Sequence, residues 1–154
     1  MIDAVSLKIL KILQEKARIP NVEVARQVGM APSAVLERIR KLEKQGFIDG
    51  YEVRLNPKRF AKSLVAFVRV KTKKLGDEKK IGEKLTQIAE VQEVHYVAGE
   101  DAFLVKVRAA DTEDLGRLIR DKIAAIASVR STQTAIVLST YKETARIPIE
   151  TVSA

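Results

Sequence analysis

Residues 21–46 read NVEVARQVGMAPSAVLERIRKLEKQG. Asn21 is a good helix cap, and Val22, Ala25 and Val28 follow it at helical spacing. Gly29 stops that helix, because only glycine takes the left-handed conformation beyond a helix end without steric cost. Pro32 stands where a first-turn proline belongs and opens a second helix, which runs to about Gln45 before Gly46 closes it. Val35, Leu36, Ile39 and Leu42 form its inward stripe, which leaves Ser33, Ala34, Glu37, Arg38, Lys41 and Lys44 facing out. Two short helices, a tight turn and a basic outer flank are the pattern of a DNA-binding helix-turn-helix. Small residues at the head of the second helix allow close approach to base edges in a major groove. Arg38 is then the candidate for a base contact, and Arg40, Lys41 and Lys44 for phosphates, which set register without reading sequence.

Upstream, Ser6 is the expected cap of a first helix carrying Leu7, Ile9, Leu10, Ile12 and Leu13, and Pro20 ends it. Downstream, the segment from Phe47 turns into a short strand through Leu55, and Asn56-Pro57 breaks it. Lys58, Arg59 and Lys62 follow, placed to help hold DNA. The expected division is a helix-turn-helix domain over 1–50 and a linker over 51–62.

From residue 63 the period changes. Ser63 to Lys71 is apolar on both sides for most of its length and predicts a central strand, and Asp77 to Ala89 has Ile81, Leu85 and Ile88 at helical spacing. Strands are expected over Val91–Ala98, Phe103–Ala109 and Val129–Tyr141, with a helix over Thr112–Ala125. The order βαββαβ predicts a four-stranded ferredoxin-like sheet over 63–141 with both helices on one face. Alternation puts Val65, Phe67, Val97, Leu104, Ile136 and Leu138 on the face away from Ala66, Val68, Tyr96, Phe103, Val105 and Val137. Two helices cover one face only, so the other is expected to be apolar and to pair with a second copy of the chain. The tail, 142–154, reads either as an extra edge strand through Ile147-Pro148-Ile149 or as loose chain. The fold class is therefore α+β: a three-helix DNA-binding domain, a linker strand, and a domain for oligomerisation.

Composition narrows the function. The chain of 154 residues has no Cys and one His, so it offers no disulfide framework, no cysteine nucleophile and no ordinary zinc site; no cofactor is expected. The net charge of +8 is uneven: residues 1–55 carry +3, residues 56–74 carry +7 and residues 75–154 carry −2. A positive N-terminal half points to a polyanion, here double-stranded DNA. No run of about 20 apolar residues is present to cross a bilayer, and no basic-then-apolar leader opens the chain, so the expectation is a soluble cytoplasmic protein, with no membrane partner. High charge and the lack of Cys fit a thermophile source. His95 lies in a strand without a second His or a Ser-Asp pair to work with, so a packed or interface role is expected, and no enzyme motif is present.

Together these residues resemble the Lrp/AsnC, or feast/famine, transcription regulators over nearly the whole chain. The carriers are Leu7-Lys8-Ile9-Leu10, Arg18, the VEVAR run, Arg38-Ile39, Lys41-Leu42-Glu43, Gly46-Phe47-Ile48, Gly50-Tyr51, Val97 to Gly99, Phe103 to Val107 and Thr132 to Leu138. The resemblance implies a ferredoxin-like ligand-sensing domain and homodimers that assemble into tetramers or octamers. It also implies an amino-acid effector bound between dimers, near Gly99, Glu100, Asp101 and Ala102 and near Thr132 and Thr134. Three positions depart from the family pattern. Ser6 replaces an Asp before the first helix, Ala31 replaces a Ser at the head of the recognition helix, and Ala102 stands where an Asp could hold an ammonium group. The leading expectation is a dimeric regulator of pseudo-palindromic promoter sites, modulated by an amino acid or related small molecule; an architectural DNA-wrapping protein without ligand response is the alternative.

Overall fold

The computed structural model describes residues 2–74, 76–99 and 102–149. The chain divides into two compact units, Met1–Arg54 with Glu143–Ala154, and Leu55–Lys142.

The first unit holds α1 (Ala4–Glu15), α2 (Asn21–Val28) and α3 (Pro32–Lys44). Their core is Ile9, Leu10, Leu13, Val24, Ala25, Val35, Ile39 and Leu42. Two caps differ from expectation. Asp3, not Ser6, caps α1: its Oδ1 accepts the Ser6 N–H at 2.7 Å, and Ser6 is buried inside the helix. A carboxylate makes the stronger, charge-assisted bond to a helix N-terminus, and starting at Ala4 adds nearly a turn. Pro20, not Asn21, is the cap residue of α2, with no side-chain bond; its carbonyl accepts the N–H groups of Glu23 and Val24. Gly29 and Gly46 close α2 and α3 at φ of 71° and 73°, as the turn requires. Leu36 does not belong to the inward stripe. Val35, Ile39 and Leu42 are buried at i, i+4 and i+7, whereas Leu36 lies about 100° around the helix from Val35 and is exposed.

The expected strand ending at Leu55 is absent: the chain there has no sheet partner, and a strand exists only when paired. Over its described part, 142–149, the tail forms no edge strand and is held against α1. Ile147 N–H donates to Gln14 Oε1 at 2.9 Å and its carbonyl accepts from Gln14 Nε2 at 3.1 Å, while Arg146 Nη1 pairs with Glu15 at 2.9 Å. Ile149 packs on the helical core.

The second unit opens with a 3-10 turn, Pro57–Phe60, capped by Asn56. It continues with β1 (Leu64–Thr72), α4 (Glu78–Thr86), β2 (Val91–Val97), β3 (Ala102–Ala109), α5 (Thr112–Arg117, extended by a π-type turn over Leu118–Ile123) and β4 (Val129–Ile136). The sheet order is β2-β3-β1-β4, antiparallel throughout, as βαββαβ connectivity demands. Ala66, Val68, Val70, Phe103, Val105 and Val107 form the helix-covered face with Ile81, Leu85, Leu115, Leu118 and Ile123.

Three expectations about this sheet change. β4 ends at Ile136, short of the expected Tyr141; Leu138 and Tyr141 are wholly exposed. Ile136 pairs with Ala66 and Val137 N–H donates to Val65 O, so their faces are the reverse of those read from alternation. The strand parity survives, but only register tells which parity faces the helices. The uncovered face is also mixed rather than apolar: Val65, Phe67, Leu104 and Val97 alternate across it with Arg69, Lys71, Lys106, Arg108 and Glu93. Lys106 is buried there and bonds Glu93 at 3.0 Å, which holds the Glu93 carboxyl below its ordinary range.

Candidate nucleic-acid interface

The turn at Gly29 sets the start of α3, and Pro32 supplies a helical φ with no N–H left to satisfy. Once Val35, Ile39 and Leu42 are seated in the core, the remaining surface of α3 follows. Ser33, Glu37, Arg40, Lys41 and Lys44 are exposed, and Ala34 and Arg38 are half-buried. Arg40, Lys41 and Lys44 have no ion-pair partner among the described residues, so the outer side of α3 carries three unpaired cations against the one carboxylate of Glu37. Unpaired cations on a rigid helix are what a phosphate backbone recognises most directly, since no internal bond is lost on docking.

Arg38 differs from them. Its Nη1 donates both to Asp3 Oδ2 at 2.5 Å and to Ser6 Oγ at 3.1 Å, so α3 is bonded to the start of α1. The Arg38 guanidinium and the capping bond from Ser6 hold the Asp3 carboxyl down at about 2. Asp3, Ser6, Ala34, Arg38 and Lys41 line one cleft of about 350 Å³ beside α3. Sequence reasoning missed Asp3, since a bond across 35 residues leaves no local spacing; its only trace was its capping position before α1. Glu43, near the end of α3, accepts from Tyr51 at 2.8 Å; burial, and then this bond, push the Tyr51 hydroxyl up to about 12. In the second unit Lys62 is engaged with Asp114 at 3.2 Å, whereas Lys58 and Arg59 are exposed.

Of the expected effector residues, Ala102 does not meet Thr132 or Thr134 within one chain. Glu100 and Asp101 lie outside the described residues. Gly99 follows β2 with a φ of 102°, a conformation suited to glycine, and Ala102 is buried at the head of β3. Ala102 pairs with Lys71, which pairs with Ser131, so all three share the uncovered face. Thr132 and Thr134 pair with Val70 and Val68 and are half-buried toward the helix-covered side. Strand β1 stands between β3 and β4, which puts those strands about 10 Å apart. His95 is exposed, 3.3 Å from Glu93 through Nε2, rather than packed. No group of three or more potential metal ligands occurs among the described residues. No helix among them is long and apolar enough to cross a membrane.

Two family models match. Residues 2–49 match a winged helix-turn-helix DNA-binding domain, and residues 65–147 match the Lrp/AsnC ligand-binding domain. The leucine-responsive regulatory protein of Escherichia coli K12 is 34% identical over 152 residues, covering 97% of this chain and 93% of that protein. Among solved structures, a transcriptional regulator of Neisseria meningitidis in complex with L-methionine superposes with a TM-score of 0.91 at 29% identity, over 96% of this chain and 97% of that one. Escherichia coli AsnC gives a TM-score of 0.85 at 29% identity, over 93% and 96%. A feast or famine regulatory protein of M. tuberculosis complexed with L-methionine gives 0.88 at 30%, over 96% and 99%.

Proposed function

Since the chain belongs to the Lrp/AsnC family of transcriptional regulators, we propose that it binds pseudo-palindromic promoter sites as a homodimer or larger assembly, with α3 in the major groove and an amino acid modulating binding. The observation that carries this reading is the outer side of α3, where Arg40, Lys41 and Lys44 are exposed and carry no ion pair among the described residues. In this division Arg38 reads bases and the other three hold phosphates, with Ser33, Ala34 and Glu37 at the groove-facing head of the helix. Dimerisation through the uncovered sheet face places two copies of α3 on one duplex. Two sites about 34 Å apart then multiply a modest single-module affinity. Further pairing of dimers gives a tetramer or octamer.

The effector reading is supported by the relatives solved with L-methionine and by the half-buried Thr132 and Thr134 hydroxyls. Ala102 supplies no polar group, and it lies on the sheet face opposite to the threonines. A ligand that touches both Ala102 and Thr132 therefore needs more than one copy of the chain, which ties binding to assembly.

Selection of DNA from a random pool by the full-length protein, followed by competition with random duplex at near-physiological salt, tests the first part. A preference of roughly a thousandfold or more is expected for a specific regulator, whereas equal affinity for both DNAs marks an architectural protein. Calorimetric titration with the twenty amino acids, methionine included, tests the second; heats flat throughout at millimolar ligand remove the effector.

A further inference from the structure

We propose that Asp3 and Ser6, at the start of α1, are positioning residues for DNA reading: they anchor one nitrogen of Arg38 so that the opposite edge of its guanidinium is presented to the DNA. This rests on the reading of α3 as the recognition helix. Both bonds that Arg38 makes among the described residues leave from Nη1, to Asp3 Oδ2 and to Ser6 Oγ, and Nη1 has two N–H groups to give. The Nε and Nη2 N–H groups, which lie along one side of the plane, have no partner there. That edge is a fork for two adjacent acceptors. Arg26 uses the same edge in this protein, donating from Nε and Nη2 to the two oxygens of Glu23 at 3.0 and 2.5 Å. In a major groove the matching acceptor pair is guanine O6 and N7, which makes the ligand of this edge a G·C base pair.

An arginine side chain is long and has many rotamers, so an unanchored Arg38 would spend its ordering entropy on docking. The anchor lies on another helix and is itself fixed, since Asp3 Oδ1 is committed to capping α1 and Ser6 is buried in it. The carboxylate has a second effect of opposite sign. It places a negative charge beside a DNA-facing surface, which weakens binding to any duplex. Positioning and plain charge therefore predict different things for its removal.

Asp3→Asn keeps an oxygen able to cap α1 but removes the anion that holds Arg38. Ser6→Ala removes the second anchor without touching the cap, and serves if Asp3→Asn folds poorly. Each is compared with wild type in the full chain for affinity to pool-selected DNA and to random duplex, alone and combined with Arg38→Ala. The expected result is a fall in the ratio of selected to random affinity on the order of tenfold for Asp3→Asn, with random binding kept or strengthened, and no further fall when Arg38 is already Ala. A smaller fall in the same ratio is expected for Ser6→Ala. Selected DNA is expected to show a G·C pair at one position that Asp3→Asn relaxes. If Asp3→Asn raises affinity for both DNAs equally while Arg38→Ala still lowers the ratio, the positioning role is overturned and Arg38 reads DNA without it. If Arg38→Ala leaves the ratio untouched, the recognition reading of Arg38 fails and the proposal fails with it.

Discussion

At the residue scale, charge alone does not tell which cation does what; the partners do. Arg38 and Lys41 are three positions apart on α3, yet Arg38 is bonded inside the domain and Lys41 carries no ion pair among the described residues. Lys41→Ala should therefore weaken binding to selected and random DNA alike and reduce the slope of log affinity against log salt by about one, measured by titration over a range of salt concentrations. The paired carboxylates make a separate prediction. Asp3 and Glu23 are both held at about 2, Asp3 first by Arg38 and Glu23 first by Arg26, from ordinary values of 3.8 and 4.5. A depressed carboxyl contributes stability that is fully present above its unfolded value and is lost as pH falls toward its folded one. The melting temperature of the wild type should then drop more steeply between about pH 4.5 and pH 2 than that of a variant carrying Asp3→Asn and Glu23→Gln. Both groups are exposed, so the difference is small. Parallel pH curves for the two proteins would assign acid sensitivity elsewhere.

At the element scale, helices and strands answer to different information. α3 is legible because Pro32 and a buried stripe lie within its own residues and Gly46 lies just past its end. Leu36 departs from the pattern because an apolar side chain need not face inward, and its position on the helix turns it to solvent. β4 is less legible: whether Ile136 faces the helices depends on its pairing with Ala66, about 70 residues earlier. The tail is least so, since the side chain that receives Ile147 is Gln14, at the other end of the chain. That clasp is a two-bond bridge of the kind a neighbouring strand would make, reinforced by Arg146 on Glu15 and by Ile149 on the core. Ending the chain after Thr144 should cost the helical unit about 1–2 kcal/mol, roughly the worth of its hydrogen bonds and one part-buried isoleucine. Faster amide exchange in the last turn of α1 should accompany it, with the exchange of β1 and β3 unchanged. An unaltered exchange rate in α1 would count against the clasp.

At the scale of the whole molecule, the chain passes between its two units twice, at 54–55 and at 142–143. The uncovered sheet face is the surface on which the proposed dimer rests. It is a lattice of half-buried apolar residues and cations rather than an oily patch, which suits an interface that must also stay soluble in the free subunit. Phe67 lies on β1, a central strand of this face. Phe67→Asp should shift the protein from dimer to monomer in sedimentation equilibrium and, with it, abolish the preference for a two-fold DNA site. A dimer that survives this change would move the interface off the sheet.

By itself the sequence determined the helix-turn-helix, the βαββαβ order and the excess of positive charge in the N-terminal half, because each rests on local periodicity, on punctuating Gly and Pro, or on composition. It also carried the family, through the order and spacing of many weak motifs. Only the tertiary structure decided that Asp3 and Ser6 hold Arg38, that the tail returns to Gln14, and that Ala102 and Thr132 lie on opposite faces of the sheet. Those are pairings between residues far apart in the chain. They are settled by register and packing, and neither leaves a mark on the residues beside them.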